Sequence, residues 1–162
     1  MFTATLALLA SGLAAPPATG SKPKSLAEQV SSCLTHEQWD EVWKPVEAWA
    51  KLPAADRAQL VGLLIPALTD VRYVALRDTA DLVIWYRLGK GEMKFQGHGW
   101  GIDQDLFTTG GRAAWAISRL MDTDLPELNA GLTADEWAKR AADIAKRAKA
   151  FQADPRPAPK SK

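Results

Sequence analysis

The side chains best suited to chemistry in this sequence lie in a glycine-rich segment, residues 89–111. His98 stands between two glycines, with Asp103 and Asp105 shortly after it and Glu92 before it. An imidazole with nearby carboxylates can bind a divalent metal or perform acid-base chemistry, so His98, Asp103 and Asp105 are the candidate catalytic residues. Tight turns around a packed or solvated histidine explain the same residues, and the spacing matches neither an EF-hand nor a zincin motif. We therefore assign no metal and no cofactor.

A second candidate site follows at once in the sequence Thr-Thr-Gly-Gly-Arg, residues 108–112. Free N–H groups at a helix N-terminus attract anions, and an arginine adds a bidentate donor for phosphate, sulfate or carboxylate. The candidate binding residues are Thr109, Gly110, Gly111 and Arg112. Ordinary helix capping by Thr109 explains the same pattern, and no Walker lysine accompanies it.

Tryptophan is unusually frequent, with seven in 162 residues. Exposed indoles can stack on sugar rings or anchor protein interfaces. Most of these residues lie on apolar helical stripes and are expected in the core: Trp39, Trp43, Trp49, Trp85, Trp115 and Trp137. Trp100 lies among glycines instead, and is therefore a further candidate binding residue or a lid over the core.

The single cysteine excludes an intramolecular disulfide. Cys33 and His36 could share one helical face as metal ligands, but two ligands are too few for a zinc site. A small buried cysteine beside a helix start capped by Thr35 is the simpler interpretation.

Apolar spacing and caps predict one all-α domain over residues 25–151, a compact bundle of about six helices with one long Gly-rich loop. Ser25 is expected to cap a first helix through Leu34. Thr35, with Gln38 three positions later, forms a capping-box pattern for the second helix, which Pro45 should kink or divide.

The remaining helices are predicted from the same signals. A third begins at Pro53 and is disturbed in its final turn by Pro66. Asp70 is expected to cap a fourth, residues 71–88, whose nearly continuous apolar surface places it at the centre of the bundle. Residues 112–121 form a fifth. The last begins at a capping box of Thr133 and Glu136 and reaches residue 151.

The sequence Leu-Ile-Pro-Ala-Leu-Thr-Asp-Val-Arg-Tyr-Val-Ala-Leu-Arg-Asp, residues 64–78, resembles the junction of HEAT-type helical repeats. In that junction an apolar helix ends near an aspartate and a Val-Arg pair opens the next helix. The resemblance extends over residues 60–88 and implies a short array of helix pairs that recognises other proteins. No catalytic residues come with it.

The two ends of the chain differ in composition from the domain. Residues 5–15 are apolar or small and are followed by small residues suited to cleavage, so residues 1–20 are predicted to be a signal peptide. That apolar run is too short to span a bilayer, and we expect no transmembrane segment. Residues 152–162 are rich in Pro and Lys and are predicted to be disordered.

Charge gives little indication of a partner. Twenty basic and nineteen acidic residues nearly cancel, so no binding of nucleic acid is expected. From Trp137 to the end, eight basic residues stand against two acidic ones. This excess can attract an acidic partner or surface, but a solvated helix face that complements its own C-terminal dipole is the simpler explanation.

These observations leave two hypotheses. The first is an exported, periplasmic or extracellular, non-catalytic helical module that binds or scaffolds another protein or an envelope component, with residues 89–111 as its recognition surface. The second is a metal-dependent or acid-base hydrolase that uses His98 and its neighbouring carboxylates. We favour the first hypothesis, because the chain has only two histidines, one cysteine and no recognisable nucleophile-base arrangement.

Overall fold

The structure, a computed structural model, describes residues 25–77 and 104–155. Within these ranges the chain forms five α-helices and one 3-10 helix, which confirms the all-α compact bundle. Their bounds are α1 Leu26–Thr35, α2 Asp40–Trp49, α3 Ala54–Leu64, the 3-10 helix Ile65–Thr69, α4 Thr109–Met121 and α5 Ala134–Ala153. The predicted signal peptide, most of the Gly-rich segment and most of the predicted disordered tail lie outside the described residues.

Two helices begin at the capping boxes that the sequence predicts. The Ser25 hydroxyl accepts a hydrogen bond from the Glu28 N–H, and the Glu28 carboxylate accepts one from the Ser25 N–H. Thr133 and Glu136 repeat this reciprocal arrangement at the start of α5. Each box satisfies backbone donors that a helix start leaves without intrahelical partners.

The capping box predicted at Thr35 is wrong. Thr35 is the last residue of α1, and its hydroxyl donates to the Ser31 carbonyl across 2.9 Å. α2 starts later, after Trp39, without a side-chain cap. Pro45 lies inside α2 and does not divide it.

Prolines mark both ends of α3, as the sequence predicts. Pro53 directly precedes Ala54, the first residue of α3. Pro66 has no N–H to continue the α-helical ladder, and the chain tightens into the 3-10 helix from Ile65 to Thr69.

The helix predicted from Val71 is wrong over its described part, because residues 71–77 are not helical. Instead, the Val74 N–H donates to the Phe107 carbonyl at 2.8 Å, and the Thr109 N–H donates to the Arg72 carbonyl at 3.2 Å. These two bonds form an isolated antiparallel bridge. The helix opening that the HEAT resemblance implies is therefore not present at residues 71–77.

The central helix is α4, which contacts all the other helical elements of the described chain. Its sequence supplies small residues that let neighbouring backbones approach closely, namely Gly110, Gly111, Ala113, Ala114 and Ala116, all buried. Apolar side chains from the other helices close around it. The burial of these side chains is the main source of stability of such a bundle.

The tryptophans expected in the core largely lie there. Trp39 and Trp137 are buried, whereas Trp43, Trp49 and Trp115 pack against the core from partly buried positions. The rings of Trp39 and Trp115 are 5.0 Å apart, and the Trp137 indole donates to the Leu68 carbonyl. Trp85 and Trp100 are outside the described residues.

Across the described residues, no helix combines the length and apolar character needed to cross a membrane.

Candidate functional site

The structure brings together one part of the predicted sites. Asp105 and the run from Thr109 to Arg112 form the turn into α4 and its first residues. His98, Trp100, Asp103 and Glu92 lie outside the described residues.

Asp105 builds the turn that leads into α4. Its carboxylate accepts the Phe107 N–H at 2.9 Å, and its carbonyl accepts both the N–H and the hydroxyl of Thr108. Its own N–H donates to the Leu128 carbonyl at 2.6 Å. These bonds hold Asp105 at the foot of α4 in a half-buried position.

The N-cap of α4 is Thr108, and not Thr109 as expected. The Thr108 hydroxyl accepts the Gly111 N–H at 3.1 Å. The N–H groups of Thr109 and Gly110 donate to the carbonyls of Arg72 and Asp70. The first N–H groups of this helix therefore have protein acceptors, and an anion would have to displace them.

Neighbouring atoms approach the backbone at Gly110 and Gly111 so closely that neither position has room for a Cβ. A Cβ at Gly110 would lie 2.7 Å from the Leu68 carbonyl oxygen and 2.9 Å from the Trp137 ring. A Cβ at Gly111 would overlap the Asp105 carbonyl. Both glycines therefore serve packing, a role that their sequence motif alone does not distinguish from anion binding.

Arg112, predicted to bind an anion, is fully buried and bonded to backbone carbonyls. Its Nε donates to the Leu106 carbonyl at 2.7 Å, and its Nη1 donates to the carbonyls of Leu34 and His36 at 3.1 and 2.6 Å. Burial lowers the pKa of the guanidinium from its ordinary value. The side chain thereby joins the end of α1 to the turn before α4.

Cys33 and His36 have separate partners. The Cys33 thiol donates to the Val42 carbonyl, and burial raises its pKa to about 12. The His36 Nδ1 accepts the Gln38 N–H at 3.1 Å. Within the described parts of the chain, no three His, Cys, Asp or Glu side chains are placed to share a metal ion.

A feature that the sequence did not indicate is an open groove of about 280 Å³ beside α1, here called the α1 groove. One side is a helical stripe of α1, and the other comes from the end of α3 and the 3-10 helix. The lining residues are Ala27, Val30, Ser31, Leu34, Thr35, Leu63, Pro66, Ala67, Asp70, Arg72 and Thr109. The stripe follows the i, i+3, i+4 spacing of one helix face, which is the only signal that could have suggested it.

The charged groups of the α1 groove neutralise each other. The Arg72 Nε lies 2.9 Å from both carboxylate oxygens of Asp70, and these hydrogen bonds hold the pKa of Asp70 below its usual range. The Asp70 side chain is 20% exposed, whereas the Arg72 side chain is 77% exposed. The lining as a whole therefore carries no net charge.

Thr109 is the most deeply buried polar residue of the α1 groove, with 4% of its surface exposed. Its hydroxyl has no hydrogen-bond partner within the described structure. A buried hydroxyl without a partner costs about 1 to 3 kcal/mol of stability. Thr109 was also predicted to bind a ligand, although for the different reason of helix-end anion binding.

Comparison of the chain with protein-family models, curated proteins and solved structures gives no match. The functional argument therefore rests on the geometry of the described residues.

Proposed function

We propose that this protein is an exported, non-catalytic binding module that holds a segment of another protein or of an envelope component in the α1 groove. The observation that carries this proposal is the groove itself, an open and largely apolar concavity between α1 on one side and the end of α3 with the 3-10 helix on the other. Concave apolar surfaces with a few polar groups are the usual form of binding sites in folded domains.

The walls of the groove support binding by burial of apolar groups. Val30 and Leu34 on α1 are buried lining residues, and Leu63 on α3 lines the groove with 36% of its surface exposed. Covering such a side chain with apolar groups of a partner contributes about 25 cal/mol for each Å² removed from water. A volume of about 280 Å³ suits one or two inserted side chains better than a large ligand.

The hydrolase alternative has less support from the described residues. It depends on His98 and Asp103, which lie outside them, and on Asp105. The Asp105 carboxylate already accepts the Phe107 N–H in the turn before α4. Binding without catalysis is therefore the function that the described geometry supports best.

Site-specific photo-crosslinking in the native cells tests the proposed surface. The photoreactive residue p-benzoylphenylalanine replaces Leu63 in one variant and Ala150 in a matched control, which lies on the exposed surface of α5. We expect a discrete adduct from position 63 that position 150 does not form. The further change Ala67→Trp, which fills the groove, should abolish that adduct. Identical adducts from both positions, or an adduct that survives Ala67→Trp, would contradict the proposal.

Export is tested separately by cell fractionation. The full chain should be recovered outside the cytoplasm, and deletion of residues 2–20 should retain it there. Equal recovery of both forms in the cytoplasm would remove export from the proposed function while leaving the groove to be judged by crosslinking.

A further inference from the structure

We infer that the free edge of the extended segment 71–75 pairs with the same edge of a second copy of this chain, antiparallel and with Tyr73 opposite Tyr73. This surface is separate from the α1 groove, whose lining among the described residues does not include Val71, Tyr73 or Ala75. The inference therefore goes beyond the proposed function, and the two can fail independently.

The backbone hydrogen bonds of this segment alternate between its two edges, as they do in a β-strand. The even-numbered residues face the beginning of α4. The carbonyls of Asp70 and Arg72 accept N–H groups from its first residues, and the Val74 N–H donates to the turn before it. The odd-numbered residues of segment 71–75 therefore direct their N–H and C=O groups to the other edge. There, within the described residues, none of them has a backbone partner.

The length of the free edge determines the register of pairing. At one end the 3-10 helix stops just before the segment, and at the other Arg77 donates its N–H to the Glu37 carbonyl at 2.8 Å. Tyr73 is therefore the centre of the edge. With Tyr73 opposite itself, Val71 lies opposite Ala75 of the second copy, and every free residue is paired. Each such pair can exchange two hydrogen bonds.

The side chains of the free edge also suit pairing with an identical edge. Val71 and Tyr73 are the most exposed large hydrophobic residues of the described chain, at 62% and 71%, and Ala75 is exposed as well. In the antiparallel register the two tyrosines become direct neighbours and each valine meets an alanine. Apolar and aromatic cross-strand pairs of this kind are stabilising, and no like charges lie opposite each other along the edge.

The composition of the edge favours a second copy over solvent or a foreign strand. Natural proteins protect free edges with lysine or proline, and residues 71, 73 and 75 are neither. A foreign strand usually gains specificity from pockets beside the edge, whereas identical edges match by two-fold symmetry. The contact is small, so we expect a weak dimer with a Kd between about 10 μM and 1 mM.

Disulfide crosslinking of the purified full chain tests the register. Tyr73→Cys places two thiols on opposite residues whose Cα atoms are about 5.5 Å apart, which a disulfide can span. We expect this variant to form a covalent dimer under mild oxidation. The native Cys33 is buried and does not compete.

Val71→Cys is the matched control, because position 71 is similarly exposed but lies more than about 10 Å from its own copy in this register. It should crosslink at least about tenfold more slowly, since its thiols cannot meet in the dimer. A mixture of Val71→Cys and Ala75→Cys should crosslink as readily as Tyr73→Cys. Equal crosslinking of Val71→Cys alone and Tyr73→Cys would overturn the inference.

Photo-crosslinking in the native cells distinguishes a second copy from a foreign strand. With p-benzoylphenylalanine at position 73, we expect an adduct of twice the mass of the chain. An adduct with a different protein, without the doubled mass, would overturn the inference and assign the edge to a foreign strand. Crosslinking from position 63 tests the α1 groove separately.

Sedimentation equilibrium with a charge exchange tests the association itself. The unmodified full chain should be monomeric at about 1 μM and largely dimeric at about 2 mM. Tyr73→Lys and Tyr73→Glu should each stay monomeric, because like charges would lie opposite each other, and a one-to-one mixture should associate again. Misfolding cannot produce this rescue. An unmodified chain that is monomeric at about 2 mM, or a mixture that stays as monomeric as each variant alone, would overturn the inference.

Discussion

The Arg112 guanidinium donates a 2.6 Å hydrogen bond to the carbonyl of His36, which lies 76 positions earlier in the chain. The same side chain also bonds to the carbonyls of Leu34 and Leu106. One arginine therefore satisfies carbonyls at the end of α1 and in the turn before α4. This relationship makes Arg112 a structural residue of the core and leads to the first prediction.

Arg112→Met should destabilise the fold strongly. The substitution keeps much of the apolar stem but leaves buried carbonyls without donors, at about 1 to 3 kcal/mol for each. We expect a loss of at least about 3 kcal/mol in the free energy of unfolding, measured by urea denaturation. Arg140→Met is the control, because Arg140 makes a single exposed bond to the Glu127 carbonyl. A loss at Arg112 no larger than at Arg140 would show that the carbonyls find other partners.

Gly111→Ala should destabilise the fold because the new methyl group would overlap the Asp105 carbonyl, which is backbone and cannot rotate away. Overpacking of this kind costs about 1 to 3 kcal/mol. Gly131→Ala is a suitable control, since its Cβ would meet only the Asn129 side chain at 3.4 Å. Thermal unfolding of both variants measures the difference, and equal midpoints would argue against the close approach.

Substitution of the two adjacent threonines should have opposite effects. Thr108→Val removes the N-cap of α4 and should cost about 0.5 to 2 kcal/mol. Thr109→Val replaces an unpartnered buried hydroxyl by a methyl group of similar size, and should leave the free energy of unfolding unchanged or raise it by up to about 1 kcal/mol. Urea titrations of both variants give the comparison. The reverse order would restore Thr109 as the cap.

The sequence predicted those helix boundaries whose signals are local. Ser25 with Glu28, and Thr133 with Glu136, meet within one helical turn, so no distant residue can change the outcome. Pro66 likewise acts locally, because its missing N–H interrupts the hydrogen-bond ladder of α3, the helix directly before it. Such features depend only on residues that are close in the sequence.

The failures depend on distant partners. The apolar residues after Asp70 suit a buried helix and an extended segment equally, and it is pairing with residues 107–109 that selects the extended form. In the same way, the sequence around Arg112 suits either an exposed anion ligand or a core residue. The carbonyls that decide in favour of the core lie more than seventy positions away in the chain. The α1 groove combines residues of α1, α3 and α4, and only Thr109 among them was a candidate beforehand.

The buried thiol of Cys33 should make stability depend on pH in the alkaline range. Burial raises the pKa of this thiol from 9.0 to about 12, so the folded protein keeps a proton that the unfolded chain releases above pH 9.0. The stabilisation is therefore complete below pH 9.0 and is lost progressively as the pH rises towards 12.

Comparison with Cys33→Ala isolates this effect from other groups that titrate at alkaline pH. The free energy of unfolding of the two proteins, measured in urea, should differ by a constant amount at pH values below 9.0, the ordinary pKa of the thiol. Above that pH the advantage of the unmodified chain should shrink by up to about 1.4 kcal/mol per pH unit. A difference that stays constant up to about pH 10.5 would mean that the thiol titrates alike in both states. In that case Cys33 would have to be accessible to water, and it would also react with a thiol reagent as fast in the folded protein as in urea.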